Sequence, residues 1–204
     1  MVIFLQKCLS KLSRFLYFIK TNFSNIVVYG WNCPKYSEII FINPKDVKFV
    51  TNVAFNRQYT GRVVGGDWDK NCKPLRSINK ISITYDYMDS AKNWKECGAY
   101  ENMLNNPTGG APWTLMDVIK RYEDLTQLII FLKNGGIYKK TNNFNEIFVH
   151  IGRNGQLIFG GGGCHRLAVV QKLALKNIPA QIGVIHPEFL RNYPEKLCEL
   201  RKRA

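Results

Sequence analysis

The chain has 204 residues, a length that fits one domain or one domain with extensions. Hydrophobic residues make up 46% of it, which is enough to build a buried core. The formal net charge of +14 and the pI near 9.6 indicate polyanionic partners: nucleic acid, an acidic membrane surface or phosphorylated ligands. A basic protein without such a partner is the alternative, because charge alone is a weak guide to function.

The six cysteines are scattered along the chain without any Cys-x-x-Cys pair, and only three histidines accompany them. This spacing excludes the usual zinc sites, and it fits a reducing compartment better than a disulfide framework. Basic residues interrupt the apolar amino-terminal segment, so no stretch reaches the length of a membrane span. The segment also lacks the pattern of a secretory signal. We therefore expect a cytoplasmic protein.

Residues 1–25 predict a basic amphipathic helix. Apolar positions recur every three or four residues along one face, at Leu5, Cys8, Leu9, Leu12, Phe15, Leu16, Ile19 and Phe23. The basic residues lie off that face, at Lys7, Lys11, Arg14 and Lys20. Two interpretations stay open: the helix packs on the domain, or residues 1–23 contact a membrane surface or another protein.

Residues 26–112 predict the amino-terminal part of the domain, with short strands and long loops. Strands are expected at 38–42 and, after a turn, at 47–50. The loop over 55–69 mixes basic, acidic and aromatic groups with glycines, as functional loops often do. Its carboxylates, Asp67 and Asp69, are candidate ligands for a divalent cation such as Mg²⁺. The alternative is a surface turn held in place by the packing of a tryptophan.

The rest of this part carries weaker signals. A strand is predicted at 81–85, residues 86–94 are expected to lead into a helix, and the helical pattern continues at 100–104. The stretch at 105–112 is rich in helix and strand breakers, which predicts a flexible connection or a lid. We assign it no chemistry.

Residues 113–186 carry the strongest local signals. Thr114 followed by Asp117 predicts a capped helix start, and the glycines after Asn134 predict its end. Asn154-Gly155 predicts the turn of a hairpin between strands at 146–153 and 156–159.

The remaining elements follow the hairpin. A helix is expected from Cys164 to about Asn177, followed by a strand at 178–185. A helix and a basic tail are expected at 187–204. His150, within the first hairpin strand, is interpreted as a structural residue rather than a catalyst.

Four consecutive glycines separate the hairpin from the helix that begins at Cys164. Glycine permits positive φ and close approach to a ligand, and a helix start offers unpaired N–H groups with partial positive charge. His165 and Arg166 add donors at the same place. The pattern predicts a phosphate-binding site formed by Gly161, Gly162, Gly163, His165 and Arg166.

The order of elements over residues 114–186 resembles that of the ParB/sulfiredoxin superfamily. The Gly-x-(His/Arg)-Arg box that opens a helix in the ParB pattern matches residues 163–166, with Ala168 shortly after it. Residues 44–47 and Arg57 carry a weaker resemblance in the amino-terminal half. The resemblance implies an α+β fold, with a small mixed sheet, packed helices and an amino-terminal helical extension.

Members of this superfamily bind nucleotide phosphates at the box, so the resemblance implies a site for ATP or CTP with Mg²⁺. Phosphoryl transfer or nucleotide hydrolysis is the broadest function it implies, with Cys164, His165 and Asp67 as candidate catalytic residues. A ParB-like protein that binds nucleic acid through its basic surface, without catalysis, is an alternative.

A third interpretation depends on the thiol. The sulfiredoxin signature is Phe-Gly-Gly-Cys-His-Arg, and residues 162–166 match its last five positions, with two further glycines between them and Phe159. This resemblance implies an ATP-dependent cysteine sulfinic acid reductase that uses Cys164. A thiol at a helix start beside His165 and Arg166 is expected to have a depressed pKa and to be partly thiolate.

Overall fold

The structure, a computed structural model, describes residues 2–106, 112–140 and 146–202, with side chains from residue 12 onward. Within these ranges the chain forms one six-stranded mixed sheet and seven α-helices, which confirms an α+β fold. The helices are α1 (Val2–Tyr29), α2 (Asn79–Asp89), α3 (Ala99–Asn105), α4 (Leu115–Lys133), α5 (Cys164–Lys172), α6 (Pro187–Asn192) and α7 (Pro194–Arg201). The strands are β1 (Ile39–Ile42), β2 (Phe49–Thr51), β3 (Cys72–Pro74), β4 (Phe148–Ile151), β5 (Leu157–Phe159) and β6 (Ile178–Ile185).

The sheet has the strand order β1-β6-β4-β5-β2-β3 and joins both halves of the chain. β6 pairs antiparallel with β1 and parallel with β4, and all eight of its residues are buried. β5 pairs antiparallel with β4 and parallel with β2, and β2 pairs antiparallel with β3. The predicted amino-terminal part and the predicted nucleotide-binding part therefore contribute to a single sheet.

The segment predicted as a strand at 81–85 is helical, because it lies within α2. Ile81 and Tyr85 are buried one helical turn apart, and α2 packs closely against α5. The β-branched residues of this segment favour a strand locally, but burial of its apolar face against α5 outweighs that preference. Residues 86–94, expected to lead into a helix, instead include the end of α2 at Asp89, and the next helix, α3, begins at Ala99.

The local predictions around the glycine run are confirmed. α4 begins with a capping box between Thr114 and Asp117, and Gly135 has a φ of +84° just beyond its end. β4 and β5 form the expected hairpin, with Gly155 at a φ of +81° in its turn. α5 ends at Lys172, earlier than predicted.

Three other segments bear on the predictions. β6 covers the residues predicted for it, α3 covers the helical stretch at 100–104, and the carboxy-terminal segment forms two short helices, α6 and α7. Most of the loop predicted at 105–112 lies outside the described residues, as do residues 141–145. None of the described helices is long and apolar enough to cross a membrane.

Candidate functional site

The loop over residues 160–163 joins the end of β5 to the start of α5 and extends the hairpin beyond its last strand pair. The Phe148 amide donates to the Gly162 carbonyl (3.0 Å), and the Gly160 amide donates to the Phe148 carbonyl (2.7 Å). The loop backbone is therefore held in place by β4 on one side. Gly163 is the N-cap of α5 and brings no side chain to cap it, so the N–H groups of the first turn meet no capping side chain.

Two of the glycines make room for side chains of the protein itself. A Cβ on Gly160 would lie 2.6 Å from the Phe148 ring and 2.8 Å from His150 Nε2. A Cβ on Gly162 would lie 2.2 Å from Nη2 of Arg57. These glycines are therefore required for packing, and Gly162 in particular allows a guanidinium group to lie directly against the loop.

The other two glycines have the backbone conformation that favours glycine. Gly163 has a φ of +84°, and a Cβ there would come within 3.1 Å of the Ile147 backbone. Gly161 has a φ of +89°, and a Cβ on it would meet no atom within 4 Å. Gly161 therefore faces open space, and it is the position of the run where a ligand can approach the backbone.

Arg57 and Arg166 lie on either side of a buried carboxylate beside this loop. Arg57 donates through Nη2 to the Glu146 carbonyl (2.7 Å) and through Nη1 to the Gln181 side chain, with its guanidinium 4.9 Å from the Phe148 ring centroid. Arg166 Nη1 lies 3.9 Å from Glu146 Oε2, a side-chain oxygen of a residue that is almost fully buried.

The two guanidinium groups are close enough to influence each other. Burial, and then the charge of Arg166, lower the pKa of Arg57. Two cations beside the single carboxylate of Glu146 leave surplus positive charge at the loop. A phosphate group would relieve that repulsion.

Two more cations approach the start of α5 from the neighbouring helices. Lys80 belongs to α2 and Arg121 to α4, and the charges of both act on the Cys164 thiol. The thiol lies 3.6 Å from the Gly161 carbonyl oxygen and is partly buried.

The expected thiolate at Cys164 is contradicted. Burial raises the pKa of the Cys164 thiol and outweighs the opposing effect of Lys80. Position at a helix start was the basis for the opposite expectation, but desolvation by burial is the larger effect. Burial therefore disfavours the thiolate form of Cys164.

His165 is placed in the interface between α4 and α5 rather than beside the open space at Gly161. Its ring is 6% exposed, and its Nε2 lies 3.2 Å from the Tyr122 hydroxyl oxygen. Burial, and to a lesser degree the charge of Arg121, lower the pKa of His165 to about 3. The imidazole is thus neutral at physiological pH and contributes no charge to anion binding.

Asp67 and Asp69 lie at the opposite end of the hairpin from the glycine loop. The Arg153 amide donates to Asp69 Oδ2 (2.8 Å), and Arg153 Nη2 donates to Asp69 Oδ1 and to Asp67 Oδ1 (2.8 Å each). Arg153 follows β4 at its turn end, five residues beyond Phe148, so about 17 Å of extended strand separates the two sites.

These two carboxylates do not have the surroundings of a metal site. Burial alone would raise the pKa of Asp69, but hydrogen bonds from Arg153 outweigh it and hold the pKa below its usual value. Hydrogen bonds from Lys70 and Arg153 lower the pKa of Asp67. In the described part of the chain, no group of three or more His, Cys, Asp or Glu side chains is arranged to hold a metal ion. The structure therefore does not bring Asp67 or Asp69 to the loop.

Several side chains at the site gave no usable signal in the sequence. Lys80 lies in a segment predicted as strand-adjacent, and Arg121 and Glu146 lie on elements whose relative placement no local pattern encodes. Arg57 carried only the weak resemblance noted above, although it proves to be in contact with Gly162.

Comparisons with protein-family models, with curated proteins and with solved structures find no match for this chain. Its function must therefore be inferred from the residues gathered around the glycine loop.

Proposed function

We propose that the chain is a ParB/sulfiredoxin-like nucleotide-binding protein that uses ATP or CTP in phosphoryl transfer or hydrolysis. The observation that carries this proposal is the guanidinium of Arg57 against Gly162, with Arg166 across Glu146, at the uncapped start of α5. Helix-start N–H groups, an open glycine and two arginines together form the arrangement that phosphate groups favour.

Each group has a distinct part in this proposal. The open side of Gly161 admits the phosphate chain, and the N–H groups of the first turn of α5 donate to its oxygens. Arg57 and Arg166 neutralise its charge, with Lys80 and Arg121 adding to the positive field. Phosphoryl transfer depends largely on such positioning and charge neutralisation, so the arrangement suits it without requiring a nucleophilic side chain.

Mg²⁺ does not fit the carboxylates first considered for it. Asp67 and Asp69 are already paired with Arg153, and they lie at the far end of the hairpin. Mg²⁺ bound to a nucleotide would neutralise part of the phosphate charge.

A second candidate function is nucleic-acid binding without catalysis. An open cavity of about 380 Å³ lies at the carboxyl end of α5 and is bordered by four cationic side chains: Lys45, Lys48, Arg76 and Lys172. A basic groove of this kind suits a phosphodiester backbone. The sulfiredoxin-like alternative has less support, because burial raises the pKa of the Cys164 thiol, although the thiol does lie at the loop.

Two further proposals concern the cellular location of the protein and the surface that its amino-terminal helix contacts. The scattered spacing of the cysteines fits a reducing compartment, which is the basis for proposing a cytoplasmic location. Contact of residues 1–23 with a membrane surface or another protein involves a different surface, that of α1.

The test is turnover of ATP, CTP and GTP by the full chain, with and without DNA, for the wild type and for Cys164→Ser. We expect hydrolysis of one nucleotide and full turnover by Cys164→Ser, which would exclude the sulfiredoxin-like chemistry. DNA-stimulated turnover, or DNA binding with no turnover, would favour the ParB-like alternative. If the protein neither binds nor hydrolyses any of the three nucleotides, the proposal is overturned.

A further inference from the structure

Helix α1 is hydrogen-bonded to the rest of the protein through polar side chains, and the rings of Tyr17 and Phe18 contact Arg62 and Tyr36. Asn25 Nδ2 donates to the carbonyls of Pro34 and Gly61 (2.8 Å each), and the Tyr36 amide donates to Asn22 Oδ1 (2.7 Å). Thr21 and Asn25 are the buried residues in the described side chains of this helix. These bonds fix the orientation of α1 on the domain.

The opposite face of α1 is apolar and exposed. Its side chains are between 47% and 68% exposed: Leu12, Phe15, Leu16, Ile19, Phe23 and Val27. They recur every three or four residues, so at 3.6 residues per turn they form one stripe roughly opposite Thr21 and Asn25. We refer to these six residues as the α1 stripe. From Leu12 onward the apolar face predicted from the sequence is present, but it points away from the domain; the side chains of Leu5, Cys8 and Leu9 lie outside the described residues.

A helix packed on a water-soluble domain normally buries its apolar face and exposes its polar face, whereas α1 does the reverse. Exposed apolar side chains that are scattered singly need no explanation, but a continuous stripe marks an interaction surface. Just beyond the helix, Trp31 is 81% exposed, and tryptophan is enriched at membrane–water interfaces.

The charge of this region limits what can cover the stripe. Residues 1–37 contain no acidic residue, and their five basic residues are Lys7, Lys11, Arg14, Lys20 and Lys35. Pairing with a second copy of this chain would bring two such cationic helices together within a protein of net charge +14. An anionic surface would instead satisfy both the stripe and the charge.

We propose that α1 lies flat on an anionic lipid bilayer, with the α1 stripe in the boundary between headgroups and acyl chains. A helix of 28 residues is about 42 Å long and lies along the membrane plane in this arrangement. Lys20, which borders the stripe on the helical wheel, and Trp31 contact the headgroups, and the hydrogen bonds of Asn22 and Asn25 couple the domain to the surface. The proposal is independent of nucleotide binding.

The test is cosedimentation of the full chain with vesicles of phosphatidylcholine alone, or of phosphatidylcholine mixed equally with phosphatidylglycerol. We expect binding to the anionic vesicles, weaker binding at high salt, and little binding to phosphatidylcholine alone. In the double variant Phe23→Gln/Val27→Gln we expect the partition coefficient to fall about tenfold or more, because both side chains leave the apolar boundary.

The matched control is Met116→Gln/Ile137→Gln, which replaces two apolar side chains outside α1 that are 73% and 58% exposed. It should bind the anionic vesicles as the wild type does. Equal binding by the stripe variant, or no binding by the wild type, would overturn the proposal. A dimer in analytical ultracentrifugation that dissociates in the stripe variant would also overturn it, because a second copy would then cover the stripe.

Discussion

The two ends of the β4–β5 hairpin carry opposite kinds of charged site. At the turn end, Asp67 and Asp69 share the guanidinium of Arg153, and their charges are neutralised within the protein. At the loop end, Arg57 donates to the backbone carbonyl of Glu146, Arg166 lies beside the carboxylate of the same residue, and positive charge is left over.

Both ends looked like binding sites in the sequence, because each combined glycines with charged side chains. What separates them is whether partners elsewhere in the chain already satisfy the charge. An internally balanced cluster stabilises the fold, whereas a surplus of one sign beside an uncapped helix start suits a ligand of the other sign.

The largest expected effect is on stability at the turn end. Asp69→Asn removes the charge that Arg153 pairs with and weakens their hydrogen bonds, and hydrogen bonds to charged groups contribute about 1.5 to 3 kcal/mol. We expect the free energy of unfolding in urea to fall by about that amount, while nucleotide affinity of the folded fraction stays unchanged. A large loss of nucleotide affinity in Asp69→Asn would contradict the claim that only the loop end binds the nucleotide.

The next effect is on binding at the loop end. Gly162→Ala places a Cβ where Nη2 of Arg57 now lies, and this flexible side chain must move away. Losing a charge-assisted contact to phosphate lowers affinity about 10- to 100-fold, and the melting temperature should fall, because Arg57 also loses its hydrogen bonds to the Glu146 carbonyl and the Gln181 side chain. Calorimetric titration with ATP and CTP measures the affinity. Arg191→Gln, an exposed arginine on α6, should titrate as the wild type.

A smaller effect concerns pH. Burial lowers the pKa of His150 and of His165 to about 3, below the usual value near 6.5. Their contribution to stability is therefore full above pH 6.5 and declines as pH falls, because the unfolded chain then takes up protons that the folded chain does not. Each adds a slope of up to about 1.4 kcal/mol per pH unit.

Urea unfolding at pH 7, 6 and 5 measures this slope. His165→Gln should reduce it, since one proton fewer is taken up on unfolding. An unchanged slope in that variant would show that the imidazole is not held neutral and would return His165 to the list of phosphate-binding candidates.

The smallest effect is expected at Asp67. Its side chain is 66% exposed and pairs with Lys70 and Arg153 at the surface, where ion pairs contribute little to stability. Asp67→Asn should leave unfolding, nucleotide binding and turnover close to wild type. A clear loss of turnover would restore Asp67 as a catalytic residue and contradict the separation of the two ends.

Elements with local signals could be predicted from the sequence. The capping pair of α4, the Asn154-Gly155 turn and the apolar run of β6 each encode structure within a few residues. The segment at 81–85 could not be assigned correctly, because its β-branched residues favour a strand and only α5, some 80 residues later, makes it helical.

The position of the candidate site could be predicted from the sequence, but the long-range contacts within it could not. The glycine run marked the loop, but the contact of Arg57 with Gly162 joins residues more than 100 positions apart. The fate of Asp69 depended on Arg153, which no spacing rule connects to it. The α1 stripe was visible in the sequence, but its exposure depends on the polar side chains that attach the helix.

Calorimetric titration of the full chain with ATP and with CTP, for the wild type and Arg57→Gln, tests the central claim most directly. The wild type should bind one of the nucleotides, and Arg57→Gln should bind it at least about tenfold more weakly while remaining folded. Equal affinity in the two proteins, or no binding of either nucleotide by the wild type, would contradict the assignment of the loop as a phosphate site.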